Sequence, residues 1–368
     1  MEVKELLRES IKAKPASKRG ARQKTSTPRG VIRMNFNENA YGMSEQVKKV
    51  LVEDAADNYM YQDFYAVDIR NKLAARYDLT PDHILIGSGS SAVIDMLGEV
   101  FINYGDEIVY CMPSYEAFPD MVSDNGGIRV EIPVTKDFKF DLEGMLAAVN
   151  ERTKMVVVVN PNNPTGTYVS SAEVEAFVRK LPPHVLAVVD EAYFEYVDDP
   201  EHYSLINMVR DGYDKPLIVL RTFSKIYGLA GLRVGYAVAH PLIVDEMMKA
   251  CQAWNISRIA TLAAETALCD QAYIQAVKDR NIKNRAYLLQ GLKALGCFAA
   301  EPAANFIYFD THRDSKAVAQ KLAERKLLIG APDAFNRVTV GKEDQNNAFL
   351  AALKEVLDEL PLRKLTPR

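Results

Sequence analysis

The sequence predicts an α/β protein in which a large domain with a mostly parallel sheet is joined to a smaller α+β domain. Short strand-like runs alternate with helical patterns, for example over residues 84–87, 91–104 and 107–112. This alternation continues to about residue 240 and is typical of βαβ units, whose strands run parallel.

The last third of the chain has a different pattern. Long helical repeats span about 259–295, and short strand-like runs follow at 305–310 and 337–341. This change indicates a second, smaller core. We therefore divide the chain into three parts: an N-terminal arm and leading segment over 1–44, a large domain over 45–258, and a small C-terminal domain over 259–368.

Length and composition favour a globular protein. The 368 residues suffice for one large and one smaller core, and 48% apolar and 26% charged residues are ordinary values. The longest aliphatic runs, 155–159 and 185–189, are far shorter than the roughly 20 residues that a membrane span needs. Four cysteines without CxxC spacing are typical of free thiols in a reducing compartment. We therefore expect a cytoplasmic protein without a membrane partner or a metal site.

The first thirty residues form a basic segment with nine Lys or Arg and three Glu. The segment lacks the apolar stretch of a secretory signal, although residues 3–13 suit a short amphipathic helix. It also lacks an aromatic platform or a recognised binding fold, so we expect no nucleic-acid partner. A flexible arm, or one that crosses to a second subunit, is the expected structure.

Three motifs in the large domain carry candidate chemistry: 160-NPNNPTG-166, 190-DEAY-193 and 222-TFSKIYGLAGLRVGY-236. Lys225 in the third motif can form a Schiff base with an aldehyde cofactor, and Arg233 can bind that cofactor's phosphate. A solvated surface charge is the alternative for an isolated lysine.

Asp190 follows the aliphatic run 185–189, so its carboxylate should emerge at the carboxyl end of a strand, where ligands bind in open α/β sheets. A carboxylate there can keep a pyridine nitrogen protonated, as pyridoxal phosphate chemistry requires. A helix cap is the alternative role for this residue.

These motifs, in this order and at these separations, resemble those of the fold-type I pyridoxal-phosphate aminotransferases, and most closely the histidinol-phosphate aminotransferase group. The similarity runs from Ile32 to about Leu360 and includes five more segments: 35–42, 87–97, 112–115, 304–309 and 336–341. The resemblance implies a seven-stranded sheet, pyridoxal 5'-phosphate in the cleft, an N-terminal segment packed with the small domain, and a homodimer with the site at its interface.

The resemblance also assigns residues to roles. The catalytic group comprises Lys225, Asp190 and Tyr193. The cofactor-binding group adds residues around the phosphate and the ring: Ser90, Ser91, Tyr115, Asn163, Ser224, Arg233 and, from the neighbouring subunit, Tyr61. Gln62 stands where the family usually has proline, so Tyr59 and Tyr65 are alternatives to Tyr61.

Substrate binding is implied for Arg337, Asn39 and Asn163, with Asn37 beside them. Each residue also has an ordinary structural alternative: a surface strand position for Arg337, loop capping for Asn39 and a turn for Asn163. Core filling is the alternative for Tyr193, and a strand-edge position is the alternative for Tyr115.

The sequence departs from the histidinol-phosphate group at Gly330, where a second arginine is common. We therefore expect an aminotransferase whose donor is an amino acid or a histidinol-phosphate-like amine and whose acceptor is a 2-oxo acid, with glutamate and 2-oxoglutarate as one pair. A threonine-phosphate decarboxylase is one alternative. A protein that binds the cofactor without catalysis is another, although it would require a broken site.

Overall fold

Twelve strands lie in the structure, a computed structural model that describes residues 6–12 and 30–363. They are β1 (Ile32–Met34), β2 (Ile84–Gly87), β3 (Glu107–Met112), β4 (Ile128–Pro133), β5 (Thr153–Val159), β6 (Leu186–Asp190), β7 (Leu217–Thr222), β8 (Gly235–Ala239), β9 (Phe298–Ala299), β10 (Phe306–Asp310), β11 (Leu327–Ile329) and β12 (Asn336–Thr339).

Thirteen α-helices accompany these strands in the described residues. They are α1 (Glu9–Lys12), α2 (Glu45–Glu53), α3 (Val67–Tyr77), α4 (Ser90–Phe101), α5 (Ala117–Asp124), α6 (Leu142–Ala148), α7 (Ser171–Lys180), α8 (Ile206–Arg210), α9 (Pro241–Met248), α10 (Arg258–Cys269), α11 (Gln271–Ala294), α12 (Ser315–Glu324) and α13 (Glu343–Glu359).

A seven-stranded sheet forms the centre of the larger part, with the strand order β2-β8-β7-β6-β5-β3-β4. Strand β8 pairs antiparallel with both of its neighbours, whereas the other adjacent strands pair parallel. Six strands therefore point the same way, and their carboxyl ends share one edge of the sheet. The predicted fold class, with its mostly parallel seven-stranded sheet, is confirmed.

The central strands are apolar along their whole length because both faces of the sheet are covered. Every residue of β6 and β7 is buried, and β5 supplies a run of four valines to the same core. Continuous hydrophobic strands of this kind are typical of parallel sheets with helices on both sides.

Local capping explains where several helices begin. Ser170 and Glu173 form a reciprocal capping box at the start of α7. Asp270 divides the helical stretch predicted over 259–295, because its carboxylate accepts a hydrogen bond from the N–H of Tyr273 and starts α11.

A second core lies beside the large sheet. It contains the antiparallel strands β12-β10-β9, the parallel pair β1 and β11, and buried side chains of α12 and α13. Met34 of β1 packs in this second core, whereas the buried residues from Ala260 to Val277 pack in the first. The domain boundaries after residues 44 and 258 stay predictions.

The predictions for the basic arm fall mainly outside the described residues. Within the stretch 3–13, where a helix is predicted, the structure contains the short helix α1. Residues 13–29, which hold most of the basic cluster, are not among the residues that the structure describes. In the described part of the chain, no helix combines the length and apolar character needed to cross a bilayer.

Candidate active site

The carboxyl edge of the large sheet gathers most of the predicted site residues. Segments that follow β2, β3, β5, β6 and β7 open into one cavity of about 710 Å³. Eleven predicted residues line it: Asn37, Ser90, Ser91, Tyr115, Asn163, Asp190, Tyr193, Ser224, Lys225, Arg233 and Arg337. Because parallel strands end together at this edge, residues far apart in the sequence meet in one site.

A polar cradle lies where α4 begins. Gly89 precedes Ser90 with φ +80°, and a Cβ at Gly89 would lie 2.3 Å from Nη2 of Arg233. A Cβ at Gly235 would lie 2.2 Å from the backbone nitrogen of Ser90. Arg233, itself at φ 57°, directs Nη1 toward Oγ of Ser224 at 3.4 Å. The two glycines therefore let a guanidinium and a helix N-terminus approach each other, an arrangement that suits a phosphate.

Asp190 provides a buried carboxylate in the wall of the cavity. Burial raises its pKa to about 6, while the N–H of Ala192, which donates to Oδ1 at 3.0 Å, and the charge of Lys225 act in the opposite direction. The carboxylate forms no ion pair with any described residue. A cationic ligand group beside it would favour its ionised form.

Lys225 projects from the loop after β7 into the cavity. Its Nζ donates to the carbonyl oxygen of Phe36 at 3.3 Å and lies 5.5 Å from the ring centroid of Tyr193. The hydroxyl of Tyr193 accepts a hydrogen bond from Nδ2 of Asn37 at 3.0 Å. The leading segment of the chain thus contacts two of the three predicted catalytic residues, Lys225 and Tyr193.

Tyr115 lines the same cavity after β3. Its hydroxyl lies 3.4 Å from Oγ of Ser91, and burial raises the pKa of the phenol. The hydroxyl of Tyr115 therefore contacts the cradle, and the face of its aromatic ring is available to pack on a flat ligand.

Arg337 in β12 is held by two acceptors. Its Nη1 donates to Oδ1 of Asn163 at 2.5 Å, and its Nη2 donates to the carbonyl oxygen of Asn35 at 2.8 Å. The buried Nε has no hydrogen-bond partner among the described residues. This guanidinium, which remains charged in proteins, therefore keeps a donor for a ligand.

Pyridoxal phosphate fits this set of residues. The cradle offers a phosphate site, Asp190 offers a carboxylate for the ring nitrogen, and Lys225 offers an amine for the aldehyde. The described residues contain no group of three or more His, Cys, Asp or Glu placed to hold a metal ion.

Two predicted residues do not line this cavity. Tyr61 is 80% exposed and packs against Trp254, with ring centroids 4.9 Å apart. Asn39 lines a smaller neighbouring space of about 360 Å³ and donates from Nδ2 to the carbonyl oxygen of Ile226 at 2.8 Å. Asn39 shares this smaller space with Ser224, whereas the structure does not bring Tyr61 to the other site residues within this chain.

Sequence reasoning missed a buried ion-pair network behind the site. Arg221 at the end of β7 pairs with Glu191 at 3.0 Å and with Glu195 at 2.8 Å, and its guanidinium lies 3.9 Å from the ring centroid of Phe194. The network connects the strand before Lys225 with the segment after β6. The sequence signal that could have revealed this network is the presence of charged residues, Glu191 and Arg221, at the ends of two apolar strand runs.

Three acidic residues of the cavity wall were also missed, Glu38, Glu116 and Asp333. Glu116 directly follows Tyr115, which was a usable signal. Asp333 lies in an irregular loop whose position depends on the fold, and no local pattern marks it.

Comparison with known proteins places the chain in a family. Residues 29–353 match the family model for class I and II aminotransferases. The chain belongs to the class I and II aminotransferases. Its predicted resemblance and its identification as a transaminase are thereby confirmed, and so is the cofactor, because members of this family depend on pyridoxal phosphate.

Three relatives illustrate the similarity. This aminotransferase is 38% identical to histidinol-phosphate aminotransferase of Moorella thermoacetica, over 89% of this chain and 86% of that protein. It is 37% identical to the enzyme of the same name from Caldicellulosiruptor saccharolyticus, over 89% and 92% of the two chains. The crystal structure of histidinol-phosphate aminotransferase from Sinorhizobium meliloti in complex with pyridoxal-5'-phosphate matches with a TM-score of 0.84 at 30% identity, over 89% and 91% of the chains.

Proposed function

We propose that this aminotransferase moves an amino group between an amino acid or a histidinol-phosphate-like amine and a 2-oxo acid, with glutamate and 2-oxoglutarate as one pair. The Lys225 amine would hold the cofactor through its aldehyde, as a Schiff base. The observation that carries the proposal is the convergence of Lys225, Asp190 and Arg233 on one cavity. Together they offer the amine, the carboxylate and the phosphate site that this chemistry needs.

The cradle would hold the cofactor phosphate. Arg233 supplies the positive charge, Ser224 and Ser90 supply hydroxyls, and the first N–H groups of α4, including that of Ser91, point toward the same anion. Unpaired N–H groups and the helix dipole at such a terminus favour a negative ligand.

Tyr115 would pack against the flat ring of the cofactor, and polar side chains would hold the edges of the ring. Asp190 keeps the proton on the ring nitrogen, because an ionised carboxylate favours a neighbouring cation. Tyr193 and Asn163 donate hydrogen bonds to the phenolic oxygen of the ring. When bound, pyridoxal phosphate supplies an aldehyde that exchanges amines and a protonated ring that takes up the electron pair released at the substrate Cα.

Lys225 then acts as the proton carrier. Once a substrate amine has displaced it, Nζ takes the proton from the substrate Cα as a general base. Arg337 orients the substrate by binding its anionic group, with the free Nε–H available for one of the hydrogen bonds.

The test follows the cofactor through both half-reactions. Holoenzyme receives one donor at a time (histidinol phosphate, glutamate, phenylalanine or phosphothreonine), and absorbance reports conversion of the aldehyde form of the cofactor to its amine form. We expect at least one donor to convert it and 2-oxoglutarate to restore it, with glutamate as the product.

Two outcomes would replace the proposal. Release of CO₂ from phosphothreonine without the amine form would favour the decarboxylase alternative. Tight cofactor binding with no conversion by any of the four donors would favour the non-catalytic alternative.

We further propose a homodimer in which the partner copy covers an exposed aromatic surface. Tyr61, Phe64, Tyr65 and Trp254 form this surface, with neighbouring ring centroids 4.7–5.3 Å apart and exposures between 43% and 80%. Tyr61 reaches the partner's phosphate site in this arrangement. Sedimentation equilibrium should show a dimer that Trp254→Ser weakens and that Tyr104→Ser, a control at an 89% exposed tyrosine elsewhere, leaves intact.

A cytoplasmic location without a nucleic-acid or membrane partner completes the proposal. It is supported by four free cysteines, since an oxidising compartment favours disulfides. Cell fractionation and gel filtration after nuclease treatment test it, and recovery in a membrane or nucleic-acid fraction would contradict it.

A further inference from the structure

Gly330 and Arg337 lie directly opposite each other between β11 and β12. The N–H of each donates to the carbonyl oxygen of the other at 2.8 Å. Residues paired in this way place their side chains on the same face. A Cβ at Gly330 would lie 3.5 Å from Nη2 of Arg337, within ordinary van der Waals contact. The wall of the cavity beside this guanidinium therefore accommodates a Cβ at position 330, where the chain carries only a hydrogen.

Within one chain, Arg337 is the described cation of the cavity wall that the proposed function leaves for a substrate anion. Among the described residues that line the cavity, the other cations are Lys225 and Arg233, which the proposed function assigns to the cofactor. One guanidinium forms two parallel hydrogen bonds with a carboxylate, which carries a single negative charge. A phosphate monoester carries nearly two charges at neutral pH and three acceptor oxygens.

The remaining charges of the wall are negative. Asp333 lines the cavity and is held in place by the hydroxyl of Tyr308 at 2.8 and 2.9 Å and by the N–H of Phe335 at 2.8 Å. Glu116 lines the same cavity and acts electrostatically on Arg337. These carboxylates add negative charge to the wall of the same cavity, which disfavours a second negative charge on a ligand.

We propose that Arg337 binds a carboxylate and that the amino donor is an α-amino acid rather than a phosphate monoester, with Gly330 and Asp333 as the residues that set this choice. The inference rests on the proposed function and narrows its donor to one of the two classes left open there.

Two probes that differ only in the anion test the choice: 3-phenylpropionate and 2-phenylethyl phosphate. Neither has an amine, so calorimetry on the holoenzyme at pH 8 measures binding without turnover. We expect the carboxylate to bind about tenfold more tightly or better, the size expected for one charge-assisted hydrogen bond. Equal affinity, or preference for the phosphate, would overturn the proposal.

Substitution at Gly330 tests the residue assignment. Gly330→Arg should tighten binding of the phosphate probe by about tenfold or more and should raise kcat/KM for histidinol phosphate, since it places a second guanidinium beside Arg337. Gly330→Gln, the control for size without charge, should do neither. If both variants change the phosphate affinity alike, charge at this position does not set the choice.

Asp333→Asn keeps an acceptor for Tyr308 and Phe335 while removing the charge. It should improve phosphate binding by roughly 3- to 10-fold, as expected for one like charge at a distance of several ångströms. No improvement would remove Asp333 from the proposal.

Different results would overturn the proposed function and the proposed preference for a carboxylate donor. If holoenzyme transaminates histidinol phosphate as efficiently as the best amino acid, the donor inference is wrong and the proposed function stands. If 3-phenylpropionate binds selectively but no donor converts the cofactor, the anion preference stands and the proposed function is wrong.

Discussion

Replacing Asp190 with asparagine should stabilise the cofactor-free protein at neutral pH. The carboxylate is buried, accepts a hydrogen bond from the N–H of Ala192 and forms no ion pair with a described residue. Burial raises its pKa from an ordinary 3.8 to about 6. Because one pKa unit is equivalent to about 1.36 kcal/mol, holding this carboxylate ionised in the native state costs about 3 kcal/mol. Asparagine keeps the acceptor for Ala192 and removes the charge.

Because the folded-state pKa of Asp190 is raised, its effect on the free energy of unfolding is confined to a defined pH range. Below pH 3.8 the carboxyl group is protonated in the folded and unfolded states, so its titration does not affect stability. Between about pH 4 and 6 the folded state keeps a proton that the unfolded state releases, so the free energy of unfolding falls as pH rises. Above pH 6 the full cost is present. The advantage of Asp190→Asn over the wild type should therefore grow by about 2 kcal/mol between pH 4 and pH 7, because part of the cost is already present at pH 4.

Urea unfolding of both cofactor-free proteins across this range measures the difference. Asp245→Asn, the same chemical change at an exposed position on α9, is the matched control and should show no comparable growth. A difference between Asp190→Asn and wild type that stays constant with pH would refute the reasoning. Saturating pyridoxal phosphate should reduce the advantage, because the ring nitrogen gives the wild-type carboxylate a cationic partner.

Three further variants test other parts of the site. Lys225→Ala should lose transamination while staying folded, and borohydride should no longer attach the cofactor to the chain, as mass spectrometry would show. Arg221→Met should lower the free energy of urea unfolding by about 3–5 kcal/mol, because it leaves Glu191 buried without its cation; an added Glu191→Gln should recover part of the loss. Gly89→Ala should weaken pyridoxal phosphate affinity in a fluorescence titration, since the new Cβ would meet Arg233 at 2.3 Å, and unchanged affinity would contradict the cradle.

Positions that depend on local pattern were well predicted. The strand predicted over 107–112 is β3, and Asp190 ends a strand as its aliphatic run indicates. A parallel sheet brings such strand ends together, so local signals located Asp190, while the family resemblance supplied most of the other predicted residues of the cavity wall.

Positions that depend on long-range geometry were not predicted from pattern. Asp333 reaches the cavity through an irregular loop, and Arg221 meets Glu191 because β6 and β7 are neighbours in the sheet. Neither contact follows from periodicity. The position of Tyr61, exposed on the chain's own surface, likewise depends on the surroundings of that surface.

The pairing of β1 with β11 has a consequence for synthesis of the protein. The two strands lie about 300 residues apart in the sequence, and the segment after β1 supplies the carbonyl groups that Arg337 and Lys225 contact. At roughly 5–20 residues per second, a ribosome finishes β11 some 15–60 seconds after β1. The large sheet is complete in sequence at Ala239, so the cradle is translated well before the wall that holds Arg337. A nascent chain can therefore acquire the half that binds the cofactor before the half that selects the substrate exists.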